Sequence, residues 1–585
     1  LTEDATDSDI ALDWRAGQEP LVAGLDFGAG QALSAEAWVD ARTSRREGLQ
    51  ALVSQWSPPD VWPGFSAFDA TDLHGLPTRG YFGAVCDGRY VYFVPEQHGE
   101  ERKPTHGIVL RYDTHGPFDD RKSYAAYDAG RTGGIDTRGF YGAVFDGRYA
   151  YFVPRQIDMV HYHSRILRYD THGAFDDDAN WAVHDAGEAH SQQSAAFDGR
   201  YIYFCPGFTG DPNREDEYCG RVLRLDTQAD FADPASSTSI DISEFLGPEC
   251  ACFDGAAFDG RYVYLVPLYT GIAVRFDTER DFRDPGAWQR FDARPLGYQL
   301  AVGAVFDGRY LYYCAYGHAT IVRFDTRGDF TDPDSWESWD ADHTEGLRTT
   351  GFDGGFFDGR FVYFQPFFRH IGPGQRDNLF HSHYLRYDPN KPFADAASWQ
   401  AYDASNTDGL HSVGYNGGAF DGRYFYAAPW QQGPKLERPG EFITHGIVLR
   451  CDTLGECGTF SLRYGDLGHN GGLNAGAPGP SFLVNTERGA LGVALHRSLA
   501  PGRHHLAGVY DGRSLALYVD GELAARREGT GRLVSRADTG LAAVPPVAIG
   551  RIDRGQGFFD GEVLRARVWR VARDAREIAA ASAAR

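Results

Sequence analysis

A five-residue phrase, Phe-Asp-Gly-Arg-aromatic, recurs seven times and constrains this chain more than any other feature. Its Asp falls at positions 87, 146, 198, 259, 307, 358 and 421, and only the first copy departs, with Cys86 in place of Phe. Each copy lies between two apolar or alternating runs, as in GAVFDGRYAYFVP, so it reads as the turn of a β-hairpin. The Asp-Gly pair predicts a type I′ turn, in which both central residues take positive φ. A third run follows and ends in Arg-aromatic-Asp, as in Arg111-Tyr112-Asp113 and Arg386-Tyr387-Asp388. A fourth opens on a large aromatic, such as Tyr124, Trp181, Trp288, Trp336 or Trp399. Four short antiparallel strands in a unit of about 50 residues make one blade of a β-propeller.

The seventh copy lacks its fourth strand. Phe65-Ser66-Ala67-Phe68-Asp69-Ala70 matches Tyr124-Ala125-Ala126-Tyr127-Asp128-Ala129, so a strand at 64–70 is expected to close the last blade. That closure gives a seven-bladed propeller over 57–458 with both ends at one place.

The flanking segments read as strands of a second domain. They are ALSAEAWVDA (32–41) and LQALVSQW (49–56) before the ring, then TFSLRYG (459–465), HHLAGVYDGRSLALYVDGELAAR (504–526), VAIGR (547–551) and FFDGEVLRARVWRVAR (558–573). Together they resemble the laminin-G-like, concanavalin-A-like jelly roll, with Leu-Tyr-Val-Asp-Gly the most specific phrase. The resemblance implies a β-sandwich split into 1–56 and 459–585, with the propeller replacing one loop. The expected fold class is therefore all-β: a seven-bladed β-propeller inserted into a β-sandwich jelly roll. Such jelly rolls bind glycans and hold calcium, but no calcium ligand maps onto a residue here.

Composition narrows the partners. A formal charge of −24 disfavours nucleic acid, which needs clustered Lys and Arg. No apolar stretch is long enough for a membrane-spanning helix. The chain starts on Leu1, which reads as a processed start and an exported protein, secreted, extracellular or periplasmic. A monomer is expected. Eight cysteines occur without a CxxC pair. Cys205 with Cys219, and Cys451 with Cys457, bracket loops that a disulfide could close, and free buried thiols are the equal alternative.

The repeat also separates the two faces of the ring. One carries the Asp-Gly-Arg turns and the Asp-Thr turns, which recur in blade after blade and so read as scaffold. The other carries loops of very different lengths, and variable loops on a rigid frame are where function resides. Just before each innermost strand, aligned on the hairpin Asp, stand Phe82, Tyr141, Gln193, Asp254, Val302, Asp353 and Asn416. Tyr141, Asp254 and Asp353, with the loop residues His190 and His411, are the catalytic candidates for acid/base work. Gln193, Asn416, Tyr269, Tyr316, Phe368 and Trp430 are the substrate-binding candidates, because flat rings beside amides suit sugars. The oxygen set Asp254, Asp353, Asn416 and Gln193 also suits a hard cation such as calcium.

Histidine gathers on the same face. Seven residues before each third-strand Asp stand His106, His163, Cys219, Thr270, His318, His381 and His445. His106, His163, His381 and His445 are the transition-metal candidates. With strands about 4.8 Å apart, equivalent third-strand positions lie about 10 Å or more from one another, so one shared ion cannot bind them all.

The expected function is a carbohydrate-active protein that binds and cleaves a glycan at the loop-rich mouth, as a lyase or hydrolase. A non-catalytic adhesin or lectin is the first alternative, and a metal-dependent oxidoreductase or lyase using loop histidines the second. No G-x-S-x-G elbow, P-loop, H-E-x-x-H motif or sialidase-type Asp box is present.

Overall fold

The computed structural model describes residues 10–27, 30–42, 50–55, 62, 64–97, 105–158, 161–209, 218–298, 300–358, 360–369, 380–421, 424–432, 443–453, 459–464, 470–471, 479–487, 489–495, 499–534, 546–551, 559 and 561–584. Blade 1 consists of Tyr81–Cys86, Tyr90–Pro95, Ile108–Asp113 and Tyr124–Asp128 in antiparallel order. Blades 2 to 6 repeat it from the inner strands Phe140–Phe145, Gln192–Phe197, Phe253–Phe258, Ala301–Phe306 and Phe352–Phe357. In blade 6 a fifth, two-residue strand, Asn470–Gly471, pairs with the inner strand at Phe356 and Gly355. Blade 7 takes Tyr415–Phe420, Tyr424–Pro429 and Ile447–Asp452 from its own repeat and its outer strand, Gly64–Asp69, from the far end of the ring. Each inner strand touches the next, and blade 7 touches blade 1, so the ring is closed.

The invariant turn differs from the type I′ expectation. Gly88, Gly147, Gly199, Gly260 and Gly308 take positive φ and the preceding Asp does not. Gly-Arg is therefore the two-residue loop, with glycine first, as a II′ turn requires. The Asp is instead a side-chain anchor. Asp146 Oδ1 accepts from the backbone N–H of Arg148 (2.9 Å) and Tyr149 (2.7 Å), and Oδ2 accepts from Tyr151 Oη (2.9 Å). The Arg then pairs with the Asp that ends the third strand, as in Arg148 with Asp170 at 2.6 Å and Arg261 with Asp277 at 2.6 Å. These groups are consumed by the turn, which is why the phrase repeats.

A second arginine binds blade to blade. Arg168 lies 4.2 Å from the ring of Tyr149 in its own blade and 4.0 Å from Phe231 of the next. The same sandwich recurs as Arg323 between Tyr310 (3.9 Å) and Phe393 (4.2 Å). At the seam, blade 7 has no equivalent Phe, and Trp62, just before the borrowed strand, takes its place 4.4 Å from Arg386. Cation–π contacts of this kind are worth about 0.5–2 kcal/mol each.

The flanking segments form two six-stranded sheets. One runs Ile10–Arg15, Gly561–Trp569, Leu33–Ala41, Gly502–Tyr510, Ser514–Val519, Glu522–Glu528. The other runs Leu21–Val22, Val547–Ile549, Gln50–Gln55, Phe460–Tyr464, Pro480–Thr486, Gly489–Ala494. Their inner faces bury Leu33, Leu52, Phe460, Leu462, Phe482, Leu506 and Leu517. Gln55 pairs directly with Phe460, so the chain leaves the sandwich and returns at adjacent strand ends. The whole ring thus stands in for one hairpin loop. Its attachment is at the scaffold face, where Gly64 pairs with Asp452 and the sandwich residue Arg527 reaches the hairpin residue Asp87. The loop-bearing face is the opposite one. Among the described residues no helix is long and apolar enough to cross a membrane.

The seven cysteines among the described residues are free thiols. Cys205 and Cys219 are both buried and unbridged, so that loop is closed by strand pairing and packing. Cys451 is also free and buried, and Cys457 lies outside the described residues.

Candidate functional site

Every inner strand carries the same irregularity, one extra residue relative to its partner. In blade 2 the register steps from Phe140↔Pro154 to Ala143↔Phe152. The residue at the step takes positive φ in all seven blades: Gly83, Gly142, Ser194, Gly255, Gly303, Gly354 and Gly417. Glycine suits the step because neighbouring backbones converge there: a Cβ on Gly255 would lie 2.5 Å from Cα of Gly303. A bulge re-aims the side chain beside it. The residue so re-aimed is the one before the step, the position of Phe82, Tyr141, Gln193, Asp254, Val302, Asp353 and Asn416.

These side chains meet across the ring. Tyr141 Oη donates to Asp254 Oδ2 at 3.0 Å, and Asn416 Nδ2 donates to Asp353 Oδ2 at 2.7 Å. Gln193, Asp254, Asp353 and Asn416 are all buried. Among the described residues, Gln193 Oε1, Asp254 Oδ1, Asp353 Oδ1 and Asn416 Oδ1 have no hydrogen-bond partner. Burial pushes Asp254 up to about 7, against the pull of the Arg155 charge and the Tyr141 hydrogen bond. Burial and the charge of Asp254 raise Asp353 well above the usual carboxylate range. Burial and the two carboxylates likewise hold the Tyr141 phenol protonated.

Sequence reasoning missed Arg155 and Glu96. Arg155 lies 4.7 Å from the Tyr141 ring and 5.0 Å from the Phe82 ring, and its Nη1 is 3.4 Å from Glu96 Oε1. Both follow the proline that ends a second strand, the same register position as Tyr316, Phe367 and Trp430. Reading that position as a ring of seven would have found them.

An aromatic collar surrounds the polar groups. Phe82, Tyr141, Phe367 and Trp430 pack together, with Tyr316, Phe368 and Phe380 against them. Trp430 lies 4.6 Å from Phe82, and Tyr316 lies 6.0 Å from Phe367 in a stacked pose. Tyr269 is exposed and stacks on Tyr218 at 5.8 Å, beside a second cluster of Tyr162, Phe208, Leu268 and Val302.

His190 and His411 lie apart in character. His190 is buried, with Nδ1 3.4 Å from Glu188 Oε2 and Nε2 unpartnered among the described residues. Burial lowers its pKa, with Glu188 opposing. His411 is exposed on the short strand Leu410–His411.

The repeated histidines have backbone partners. His163 Nε2 faces Arg138 O at 2.8 Å while Nδ1 accepts from Arg165 N at 3.2 Å. His106, His381 and His445 repeat the pattern, with Nε2 on Gly80 O (3.2 Å), Thr350 O (2.8 Å) and Gly414 O (3.4 Å). His318 does the same with Leu300 O at 2.7 Å. Both ring nitrogens are thus engaged in joining the loops, and among the described residues no three His, Cys, Asp or Glu side chains converge as metal ligands.

Fold and site together define a two-part all-β protein, a propeller with a buried polar mouth carried on a laminin-G-type sandwich. Residues 460–579 match the family model of the concanavalin A-like lectin/glucanases superfamily. Among solved structures, the chain is similar to selenomethionine-substituted virginiamycin B lyase from Staphylococcus aureus, at 12% identity and TM-score 0.40, over 66% of this chain and 99% of that one. It is also similar to YCF48 from Cyanidioschyzon merolae, at 11% identity and TM-score 0.39, over 66% and 99%. The Swd1 propeller domain from Myceliophteria thermophila gives 10% identity and TM-score 0.37, over 64% and 96%. No curated protein matches the chain significantly.

Proposed function

We propose that this protein binds a glycan at the loop-bearing mouth of the propeller and cleaves it there, by elimination or hydrolysis. The observation that carries the reading is the mouth itself, where buried oxygens of Gln193, Asp254, Asp353 and Asn416 have no partner among the described residues and lie beside an aromatic collar. Burying an unsatisfied polar atom costs about 1–3 kcal/mol, so four at equivalent axial positions of one ring point to a ligand. Sugars offer both an apolar ring face and hydroxyl donors, and the collar and the oxygens match those two surfaces. The lectin/glucanase family of the sandwich supports a carbohydrate as the ligand. Tyr141 enters as the proton donor. His190, backed by Glu188, has an Nε2 without a partner among the described residues and enters as the base, and His411 as a rim contact. A polymeric glycan places the working protein outside the cytoplasm.

A lectin without turnover is the second reading, favoured by the burial of every axial polar group. Incubation with a panel of neutral and acidic polysaccharides separates the two. Ultraviolet-absorbing unsaturated ends indicate elimination, and new reducing ends without them indicate hydrolysis. Tyr141→Phe should then lower kcat at least about a hundredfold with little change in binding. Binding without products would establish the lectin, and neither binding nor products would refute both readings.

A further inference from the structure

We propose that the mouth of the propeller holds a hard divalent cation, bound by Asp254, Asp353, Asn416 and Gln193. The four side chains come from blades 4, 6, 7 and 3, all at the bulge position that points a residue into the ring.

The unmet oxygen acceptors argue for a cation. Two donors at the site are engaged with the carboxylates: Asn416 Nδ2 with Asp353 at 2.7 Å, and Tyr141 Oη with Asp254 at 3.0 Å. Four acceptors, Asp254 Oδ1, Asp353 Oδ1, Asn416 Oδ1 and Gln193 Oε1, are buried and have no partner among the described residues. A single water brings two protons and would leave half of them unmet. One cation satisfies the whole set at once, and an oxygen-only set selects calcium, magnesium or manganese over zinc or copper. The set holds two carboxylates and two amides, so it does not form a trio of His, Cys, Asp or Glu.

Charge points the same way. Among the described residues, Arg155 donates to Glu96 and to neither aspartate. Neither aspartate therefore has a cationic side chain bonded to it, and a divalent ion would give both carboxylates that partner.

This inference shares its site with the glycan reading, but its readout is separate. The full chain is stripped with a chelator, and calcium, magnesium and manganese are each titrated by calorimetry and by melting temperature without any sugar. One site per chain is expected, with a melting temperature that climbs with cation concentration. Asn416→Leu and Gln193→Leu, which leave both carboxylates in place, should each weaken the binding at least about tenfold, and Asp353→Asn should do so more. No saturable binding of any of the three ions at millimolar concentration, in a protein that melts cooperatively, would overturn the proposal. So would binding indifferent to all three substitutions. Glycan binding retained in the stripped protein would leave the proposed function standing while the cation failed.

Discussion

Arg527 of the sandwich reaches across to Asp87 of blade 1, Nη2 to Oδ1 at 3.1 Å. This hairpin is the one whose Phe is replaced, by Cys86, so the exception in the repeat falls where the second domain docks. The approach is close enough that a Cβ on Gly88 would lie 1.9 Å from Arg527 Nη1. Asp87 keeps its backbone donors, Arg89 N and Tyr90 N, when the guanidinium is removed. Arg527→Ala should therefore cost about 1–3 kcal/mol at the interface and leave the blade intact. Calorimetry should split one melting transition into two, and small-angle scattering should show a wider spread of domain positions.

The seam of the ring offers a second check. Trp62→Ala removes the ring on which Arg386 rests at 4.4 Å, and with it contacts to Tyr363 and Tyr402. Loss of a large aromatic of this kind costs about 3–5 kcal/mol when fully buried and less at this half-buried seam. The urea midpoint should fall, and proteolysis should begin near the borrowed strand Gly64–Asp69.

The histidine joints make stability depend on pH. Burial lowers His163 to about 4, His381 to about 3 and His445 to about 4, from an ordinary 6.5. Folded values below the unfolded value mean that the unfolded chain binds more protons in between. Their contribution is full above pH 6.5 and is lost progressively as pH falls toward about 4. Each such group contributes a slope of about 1.4 kcal/mol per pH unit in that window. Urea midpoints between pH 7 and 5 should fall accordingly, and His163→Asn should flatten the slope by one proton.

Blade 3 carries strain at the mouth. Ser194 occupies the bulge step with φ of 106°, where six other blades have glycine. A non-glycine residue there costs about 1–3 kcal/mol. Ser194→Gly should stabilise the protein in urea denaturation, and Gly142→Ser in blade 2 should destabilise it by a similar amount. If the strain positions Gln193, Ser194→Gly should also weaken binding at the mouth.

Much of the architecture was legible because it rests on local, repeated patterns. Strand alternation, the hairpin phrase and the orphaned strand before Thr71 predict the blades and their closure without knowledge of distances. The turn type was misjudged because Asp looks like a central turn residue until its carboxylate is seen accepting from Arg148 and Tyr149. The histidines looked like ligands because sequence shows their recurrence and hides the carbonyls that meet them. Cys205 and Cys219 bracket one loop in sequence yet remain separate thiols.

The sequence by itself determined the number of blades, the borrowed strand, the split sandwich and the residues that face the axis, since each follows from spacing along one chain. Only the tertiary structure decided that Tyr141 meets Asp254, that Asn416 meets Asp353, and that Arg155 and Glu96 join them. Those encounters join blades whose residues are up to 113 positions apart, and they depend on ring radius and on the bulge that turns each side chain inward. Neither quantity is written in any one repeat.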